Sequence, residues 1–287
     1  DDNCNPDGKH LSCNDREDMR DCVINKLKIG GDSPVRLMGV INCSPESFYA
    51  NSYIPTNFVH KTAVEMVEQG ADLIDIGARS TAPNTQAISG SAEAERIDAA
   101  LRELDGSGIT ISVDTMNPWV LDICLKHEIH AINDISGLLS PAYTKRLAQS
   151  GLPAFLMASR EQPGDARGLR DTLATLDKVV QRCENAGIQD YVLDPGIGIW
   201  TPFRSVEDDW TLCQHFSEFK KFERPLLAAI SRKTFIGDLL NRPPEDRLSG
   251  SLAVTFMLLE KGASIVRTHD VAQTLDVIRV FERLVKQ

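Results

Sequence analysis

The chain has 287 residues, 42% of them hydrophobic, and a formal net charge of −10. No apolar stretch approaches the roughly 18 residues that a membrane span needs, and so acidic a chain lacks the basic face that would make nucleic acid its main partner. The length suits one domain with a sizeable core, and any anionic ligand has to be caught locally by a cluster of cations.

Residues 1–30 are polar and carry no clear period, so they are expected to form an N-terminal extension to a single domain over 31–287. Within the extension, Ile24 to Ile29 suggests a short hairpin closing the bottom of the fold, with Gly30-Gly31 as its turn. From there a pattern repeats eight times: a short apolar run rises to a small polar or glycine-rich cluster. The runs end at Val40-Ile41-Asn42, Ile74-Asp75-Ile76-Gly77, Ile111-Ser112-Val113-Asp114, Ile132-Asn133-Asp134, Phe155-Leu156-Met157, Val192-Leu193-Asp194-Pro195-Gly196, Leu226 to Ser231-Arg232-Lys233, and Ile265-Val266-Arg267-Thr268-His269-Asp270. Helices are expected over 57–69, 91–104, 118–127, 141–150, 169–185, 206–219, 248–261 and 271–285, with Pro118 as a start signal and Gly70, Gly151, Gly187 and Gly262 as stops. Strands separated by whole helices must pair in parallel, and eight such units make a (β/α)8 TIM barrel. In that fold the reacting groups occupy the loops at the carboxyl ends of the strands, where the polar clusters fall.

Seven cysteines, an odd number mostly inside predicted elements (Cys43, Cys124, Cys183, Cys213), suit reduced thiols in the cytoplasm. The start, Asp1-Asp2-Asn3-Cys4, is acidic and polar, the opposite of a secretory leader, and the lack of an initiator Met points to trimming. Cys4, Cys13 and Cys22 recur every nine residues with His10 among them. Such gaps lack the short bite of common zinc sites, so these are read as scattered thiols on a solvated extension.

The chemistry follows strand by strand. Asp114 and Asp194 end apolar runs, Asn133 lies on the strand between them, and Lys233 ends the seventh. Carboxylates, an amide and an ammonium around one cavity match the donor and acceptor edge of a flat polar heterocycle, such as a base or a pterin. A single one of them could be a structural hydrogen bond; four at one barrel mouth make that account poor. A second, cationic cluster gathers Arg267 and His269 with Lys233 and Arg232, where the loops after strands seven and eight often hold phosphate with the help of a short helix. Arg232 is assigned to a structural ion pair. Asn42 and Cys43-Ser44-Pro45-Glu46-Ser47-Phe48 come from the neighbouring first strand. An anion pocket beside a heterocycle pocket implies a phosphorylated or pyrophosphorylated heterocycle.

These segments, together with Met38-Gly39, Ser80-Thr81, Val113-Asp114-Thr115, Asp194-Pro195-Gly196-Ile197-Gly198, Ser231-Arg232-Lys233-Thr234-Phe235-Ile236-Gly237 and Arg267-Thr268-His269-Asp270, resemble the dihydropteroate synthases in order from about residue 35 to the C-terminus. The resemblance implies condensation of 6-hydroxymethyl-7,8-dihydropterin pyrophosphate with p-aminobenzoate, a pterin pocket at Asp114, Asn133, Asp194 and Lys233, and pyrophosphate at Asn42, Arg267 and His269. It further implies substrate contact at Thr81, catalytic roles for Lys233, Arg267 and His269, Mg²⁺ through Asn42, and a homodimer.

The chain departs from the family pattern on the amine side. The second loop usually reads Glu-Ser-Thr-Arg-Pro-Gly and here reads Arg79-Ser80-Thr81-Ala82-Pro83-Asn84; Gly-Phe-Gly-Lys is Gly198-Ile199-Trp200-Thr201, and Leu-Met-His-Met is Leu156-Met157-Ala158-Ser159. The amine is therefore p-aminobenzoate or a larger relative, such as the ribosylated aminobenzene phosphate of methanopterin-type cofactors. Two alternatives stand beside this activity: a methyl-tetrahydropterin:corrinoid methyltransferase, which would have no pyrophosphate for Arg267 and His269 to hold, and a pterin-binding protein without turnover.

Overall fold

The computed structural model describes residues 20–45, 53–79 and 88–285. The chain opens with an antiparallel hairpin of β1 (Cys22–Ile24) and β2 (Leu27–Ile29). Eight parallel strands follow: β3 (Arg36–Asn42), β4 (Leu73–Gly77), β5 (Ile111–Asp114), β6 (Ala131–Asp134), β7 (Ala154–Met157), β8 (Tyr191–Asp194), β9 (Leu227–Ala228) and β10 (Ile265–Thr268). They pair in the order β8-β7-β6-β5-β4-β3-β10-β9, and a parallel bridge between Leu193 and Leu226 closes the ring. The predicted (β/α)8 barrel is the observed fold.

Helices α1 (Val59–Glu68), α2 (Gly90–Leu104), α3 (Pro118–Cys124), α4 (Pro141–Ser150), α5 (Gly168–Ala186) and α6 (Val206–Gln214) cover the first six units. Local chemistry sets several boundaries. Ser89, Asn117 and Ser140 cap α2, α3 and α4 by accepting from backbone N–H groups, and Ser205 and Asp208 form a capping box on α6. Helix α3 stops at Cys124 and α6 at Gln214, short of the expected 127 and 219; 3-10 turns over Phe216–Phe222 replace the end of α6. A short helix α7 (Thr234–Leu240), unforeseen in the sequence, precedes α8 (Leu248–Glu260) and α9 (Val271–Val285). Gly237 inside α7 looks like a breaker, yet it is there because the Arg247 guanidinium packs where its side chain would be.

The hairpin turn also differs from expectation. It is Asn25-Lys26, with Asn25 at φ 56° in the left-handed region that Asn tolerates, while Gly30 and Gly31 lead the chain out of β2 toward β3. Cys22 is not on a solvated extension: Cys22, Ile24 and Ile29 are fully buried inside the lower barrel. Cys4, Cys13 and His10 lie outside the described residues, and the five cysteines described are free and buried.

The interior layer beneath the mouth is apolar: Met38, Leu73, Ala131, Phe155, Val192, Leu227 and Ile265, one from each of seven strands, pack on the hairpin. Strand side chains alternate between the two faces. Two residues further along β4, β6, β8 and β10 the inward position is therefore Asp75, Asn133, Asp194 and Arg267. Their outward neighbours, among them Ile74, Ile76, Ile132, Leu193 and Val266, belong to the core between barrel and helices. The alternation that fills the barrel floor with hydrocarbon delivers the polar groups to its mouth.

One clasp pins the helices flanking β5. His127, just past α3 and with its side chain 8% exposed, has Nδ1 2.7 Å from Oδ2 of Asp105, the C-cap of α2, and Nε2 3.0 Å from Oδ1 of Asp98, within that helix. Burial pulls the imidazole pKa down, but hydrogen bonds to Asp105 and Asp98 outweigh it and the net shift from 6.5 is upward; the two carboxyls are shifted below 3.8, chiefly by the same bonds. The imidazolium contribution to stability is thus full below about pH 6.5 and is lost as pH rises through the raised value, while the carboxylate contribution is lost only in acid. We expect His127→Gln to lower Tm near pH 6, with a deficit that shrinks as pH rises; a deficit unchanged from pH 6 to 9 would contradict a charged clasp.

Candidate active site

Asp75 is the innermost charge of the mouth. It is fully buried, and its Oδ2 accepts from Arg267 Nε at 2.7 Å and from Asn133 Nδ2 at 2.9 Å. Arg267 Nη2 lies 3.5 Å from Asp114 Oδ2. Four strands, β4, β5, β6 and β10, are thereby joined through side chains. Sequence reasoning quoted Asp75 only as part of a motif; its place two residues after Leu73 on the same face was the available signal.

The electrostatics follow from burial. Desolvation and the neighbouring Asp75 push Asp114 up to about 7, against the pull of Arg267 and Arg79. Desolvation likewise raises Asp194, opposed by Lys233 and by the Gly196 N–H, which donates to Asp194 Oδ1 at 2.7 Å. Lys233 is lowered by burial to about 8, with Asp194 and Asp209 holding it up. For Arg267, burial disfavours the charge, but Asp75 and Asp114 more than compensate and its pKa ends raised. His269 is lowered to about 4 by burial and then by Arg267, so it joins the cationic cluster as a neutral ring, with Nδ1 3.1 Å from Ser231 Oγ. A cleft in which so many groups are moved toward neutrality is typical of sites that bind or transform polar ligands.

Glycines admit the chain close to Lys233. Gly198 has φ 140°, and a Cβ there would sit 3.1 Å from Lys233 Nζ and 3.2 Å from Trp200 Nε1. The ammonium donates to the Ile197 carbonyl and lies 5.0 Å from the centroid of the Trp200 ring, whose Nε1 donates to Gly196 O at 2.9 Å. At the β3 edge, Asn42 Oδ1 accepts from Ser44 N at 3.0 Å. Thr81, like Glu46 to Phe48 and Ala82, lies outside the described residues.

Arg232 has the structural role assigned to it. Its backbone is left-handed at φ 56°, and its guanidinium grips Asp270 with bonds of 2.8 and 2.6 Å while Nη1 donates to the carbonyls of Pro244 and Glu245. Asp134, adjacent to Asn133, points to the other face, where its oxygens accept from the N–H groups of Ser136 and Leu138, both at 2.8 Å. Neighbours in sequence are therefore divided between the site and the scaffold. Two further buried charges, Arg204 and Asp209, stand behind Gly198 and were not anticipated.

Residues 38–269 match the pterin binding enzyme family. Dihydropteroate synthase of Escherichia coli (strain K12) is 36% identical over 260 residues, covering 86% of this chain and 90% of that protein. The Bacillus subtilis (strain 168) enzyme is 32% identical over 256 residues, covering 88% and 89%. Among solved structures, Coxiella burnetii dihydropteroate synthase in complex with pteroic acid has a TM-score of 0.83 at 31% identity, covering 93% of this chain and 99% of that one. The Xanthomonas albilineans enzyme with 4-aminobenzoic acid has a TM-score of 0.81 at 30% identity, covering 93% and 98%. With its barrel, its polar mouth and these relatives, the chain belongs to the pterin binding enzyme family, among the dihydropteroate synthases.

Proposed function

We propose that this chain joins the exocyclic methylene carbon of 6-hydroxymethyl-7,8-dihydropterin pyrophosphate to the amino nitrogen of p-aminobenzoate or a related arylamine, in folate or methanopterin-type cofactor biosynthesis. The observation that carries the reading is the polar layer in which Asp114, Asn133 and Asp194 gather at the barrel mouth with Arg267 and Lys233 beside them. The complexes of relatives with pteroic acid and with 4-aminobenzoic acid support it.

In this reading Asp194 accepts from the pterin's amino and ring N–H groups, since Oδ1 is held by Gly196 and Oδ2 accepts from none of the described residues. Asn133 is fixed by its bond to Asp75, which orients its amide toward the ring edge. Lys233 contacts the ring from strand β9's loop. Arg267, His269 and Asn42 receive the pyrophosphate, and Thr81 contributes from the second loop. The C–O bond to pyrophosphate breaks first, the electron-rich pterin stabilises the resulting methylene cation, and the arylamine nitrogen then forms the C–N bond and loses its proton. Arg267, held by Asp75 before substrate arrives, stabilises charge growing on the departing oxygen, an electrostatic contribution that is often the largest in catalysis. The amine is already nucleophilic and needs chiefly to be positioned.

Asn42 has an uncharged amide oxygen, a hard donor of the kind Mg²⁺ accepts, and would supply one ligand to the ion beside the pyrophosphate. When bound, Mg²⁺ would neutralise charge on the leaving group. The methyltransferase alternative leaves Arg267 and His269 without an anion to receive, and a carrier without turnover has no need of an arylamine site.

A homodimer belongs to the same reading: Val280, Leu284 and Val285 of α9 are exposed, and sedimentation of a single 31.7 kDa species at micromolar concentration would contradict it. Pyrophosphate release from the pterin pyrophosphate with a panel of arylamines tests the activity; no release with any amine would refute it. Asp194→Ala should weaken both the pterin pyrophosphate and the plain pterin alcohol by about ten- to a hundred-fold, the equivalent of roughly 1.5 to 3 kcal/mol for a lost charge-assisted bond. Arg267→Ala should penalise the pyrophosphorylated ligand far more than the alcohol in calorimetry, and equal losses would place the anion elsewhere. Arg79 pulls on Asp114 from the start of the second loop, so Arg79→Ala should reduce kcat/KM with the native arylamine; values unchanged for both p-aminobenzoate and a ribosyl-phosphate arylamine would make Arg79 a bystander.

A further inference from the structure

The Arg204–Asp209 ion pair touches none of the groups assigned to substrate, yet both side chains are completely buried, at 0% exposure. Taking two charges out of water is costly, and the cost is offset by close contact within the pair and by hydrogen bonds to its other polar atoms. Asp209 Oδ1 accepts from Arg204 Nε at 3.2 Å and Nη2 at 3.0 Å. Arg204 Nη1 reaches the carbonyls of Gly164 and Ala166, at 3.4 and 3.2 Å, in the loop after β7. One ion pair thus ties that loop to α6 and to the loop after β8.

Its connection to the mouth runs through a single peptide group. The Gly198 N–H donates to Asp209 Oδ1 at 2.7 Å, and the carbonyl of the same peptide bond, that of Ile197, accepts from Lys233 Nζ. In a trans peptide the N–H and C=O point in opposite directions. The group therefore stands between carboxylate and ammonium with the positive end of its dipole toward Asp209 and the negative end toward Lys233. Both bonds are charge-assisted, and each polarises the peptide in the sense that strengthens the other. Asp209 Oδ2 is buried with no hydrogen-bond donor among the described residues, so its hydrogen bonds are concentrated on Oδ1.

We propose that Asp209, with Arg204 as its counterweight, is a positioning residue for Lys233: through the Ile197–Gly198 peptide it fixes the ammonium at the barrel mouth. The role rests on the reading of Lys233 as a pterin contact. The groups facing Lys233 are Asp194 from β8, Asp209 from α6, Arg267 from β10, Arg204 from the loop before α6, and the neutral His269. Asp194 and Asp209 favour its charged form; Arg267 and Arg204 oppose it.

Opposite charges in the pair give the test its sign. Asn in place of Asp209 can still accept from Gly198 N–H, so Asp209→Asn removes the charge and keeps the bond; Arg204→Gln removes the counter-charge. The Lys233 side chain is titrated by NMR in protein carrying isotope-labelled lysine, with Lys233→Gln for assignment. Starting from about 8, Asp209→Asn should lower the Lys233 pKa by about half a unit or more, roughly a threefold rise in the ratio of neutral to charged amine near that pH, and Arg204→Gln should raise it. If either single variant fails to fold, the double variant Arg204→Gln/Asp209→Asn, which buries no unpaired charge, should still show a fall, because Asp209 acts on Lys233 more strongly than Arg204 does. A plain structural clamp would lower Tm in every variant and leave the Lys233 titration where it was, and that result overturns the proposal. Pterin affinity separates the two layers: in Asp209→Asn it should fall with the pKa, whereas a shifted titration with unchanged affinity in both Asp209→Asn and Lys233→Gln retains the coupling and removes Lys233 from the pterin site.

Discussion

A carboxylate without water around it must find a cation or a proton, and Asp75 finds Arg267. The guanidinium lies between two acids of unequal depth, bonded at 2.7 Å to the buried one and 3.5 Å from the one nearer the opening. Removing one partner of such a buried pair usually costs about 3 to 5 kcal/mol, because the charge left behind has nothing to answer it. Arg267 is therefore held in place before any ligand arrives. That arrangement also fixes Asn133, whose amide donates to the same Asp75 oxygen. Asp114 shares that cation with Asp75, and its pKa rises toward neutrality because burial disfavours its charge and the neighbouring Asp75 repels it, more than Arg267 can offset.

The same constraint orders the rest of the mouth. Charges are admitted only in linked sets: Asp75 with Arg267 and Asp114, Asp194 with Lys233, Arg204 with Asp209. Each set is anchored on a different group of strands or loops, so the rigid ring of the barrel sets their spacing. A ligand with a polar edge and an anionic tail meets donors and acceptors already at their stations, and little reorganisation is left for the reaction itself. Arg232 belongs to a further set, with Asp270. With a left-handed backbone it bonds Asp270 and two carbonyls, and so serves the scaffold although it is next to Lys233.

The barrel was legible because each strand is an apolar run that ends in a polar cluster and several helices carry stop signals such as Gly151 and Gly187, both left-handed in the fold. Asn133, Asp194 and Arg267 were legible for the same reason: they are the last inward positions of strands. What failed were features decided by distant partners. The hairpin turn went to Asn25 rather than to the glycine pair, and α7 was hidden by Gly237, whose small size is explained only once Arg247 is folded against it. Asp75 was one residue among others in a strand-end run, and its role depends on Arg267, 192 positions away. Arg204 and Asp209 have no sequence signature, since their value lies in the peptide between Ile197 and Gly198.

The account turns on one cavity holding a heterocycle and its anionic tail side by side. A crystal structure with the pterin pyrophosphate bound, in the absence of arylamine, tests this most directly. The account predicts the ring edge within hydrogen-bonding distance of Asp114, Asn133 and Asp194, with the pyrophosphate against Arg267 and His269. A ring bound away from those three side chains, or a pyrophosphate that leaves Arg267 bonded only to Asp75, would contradict it.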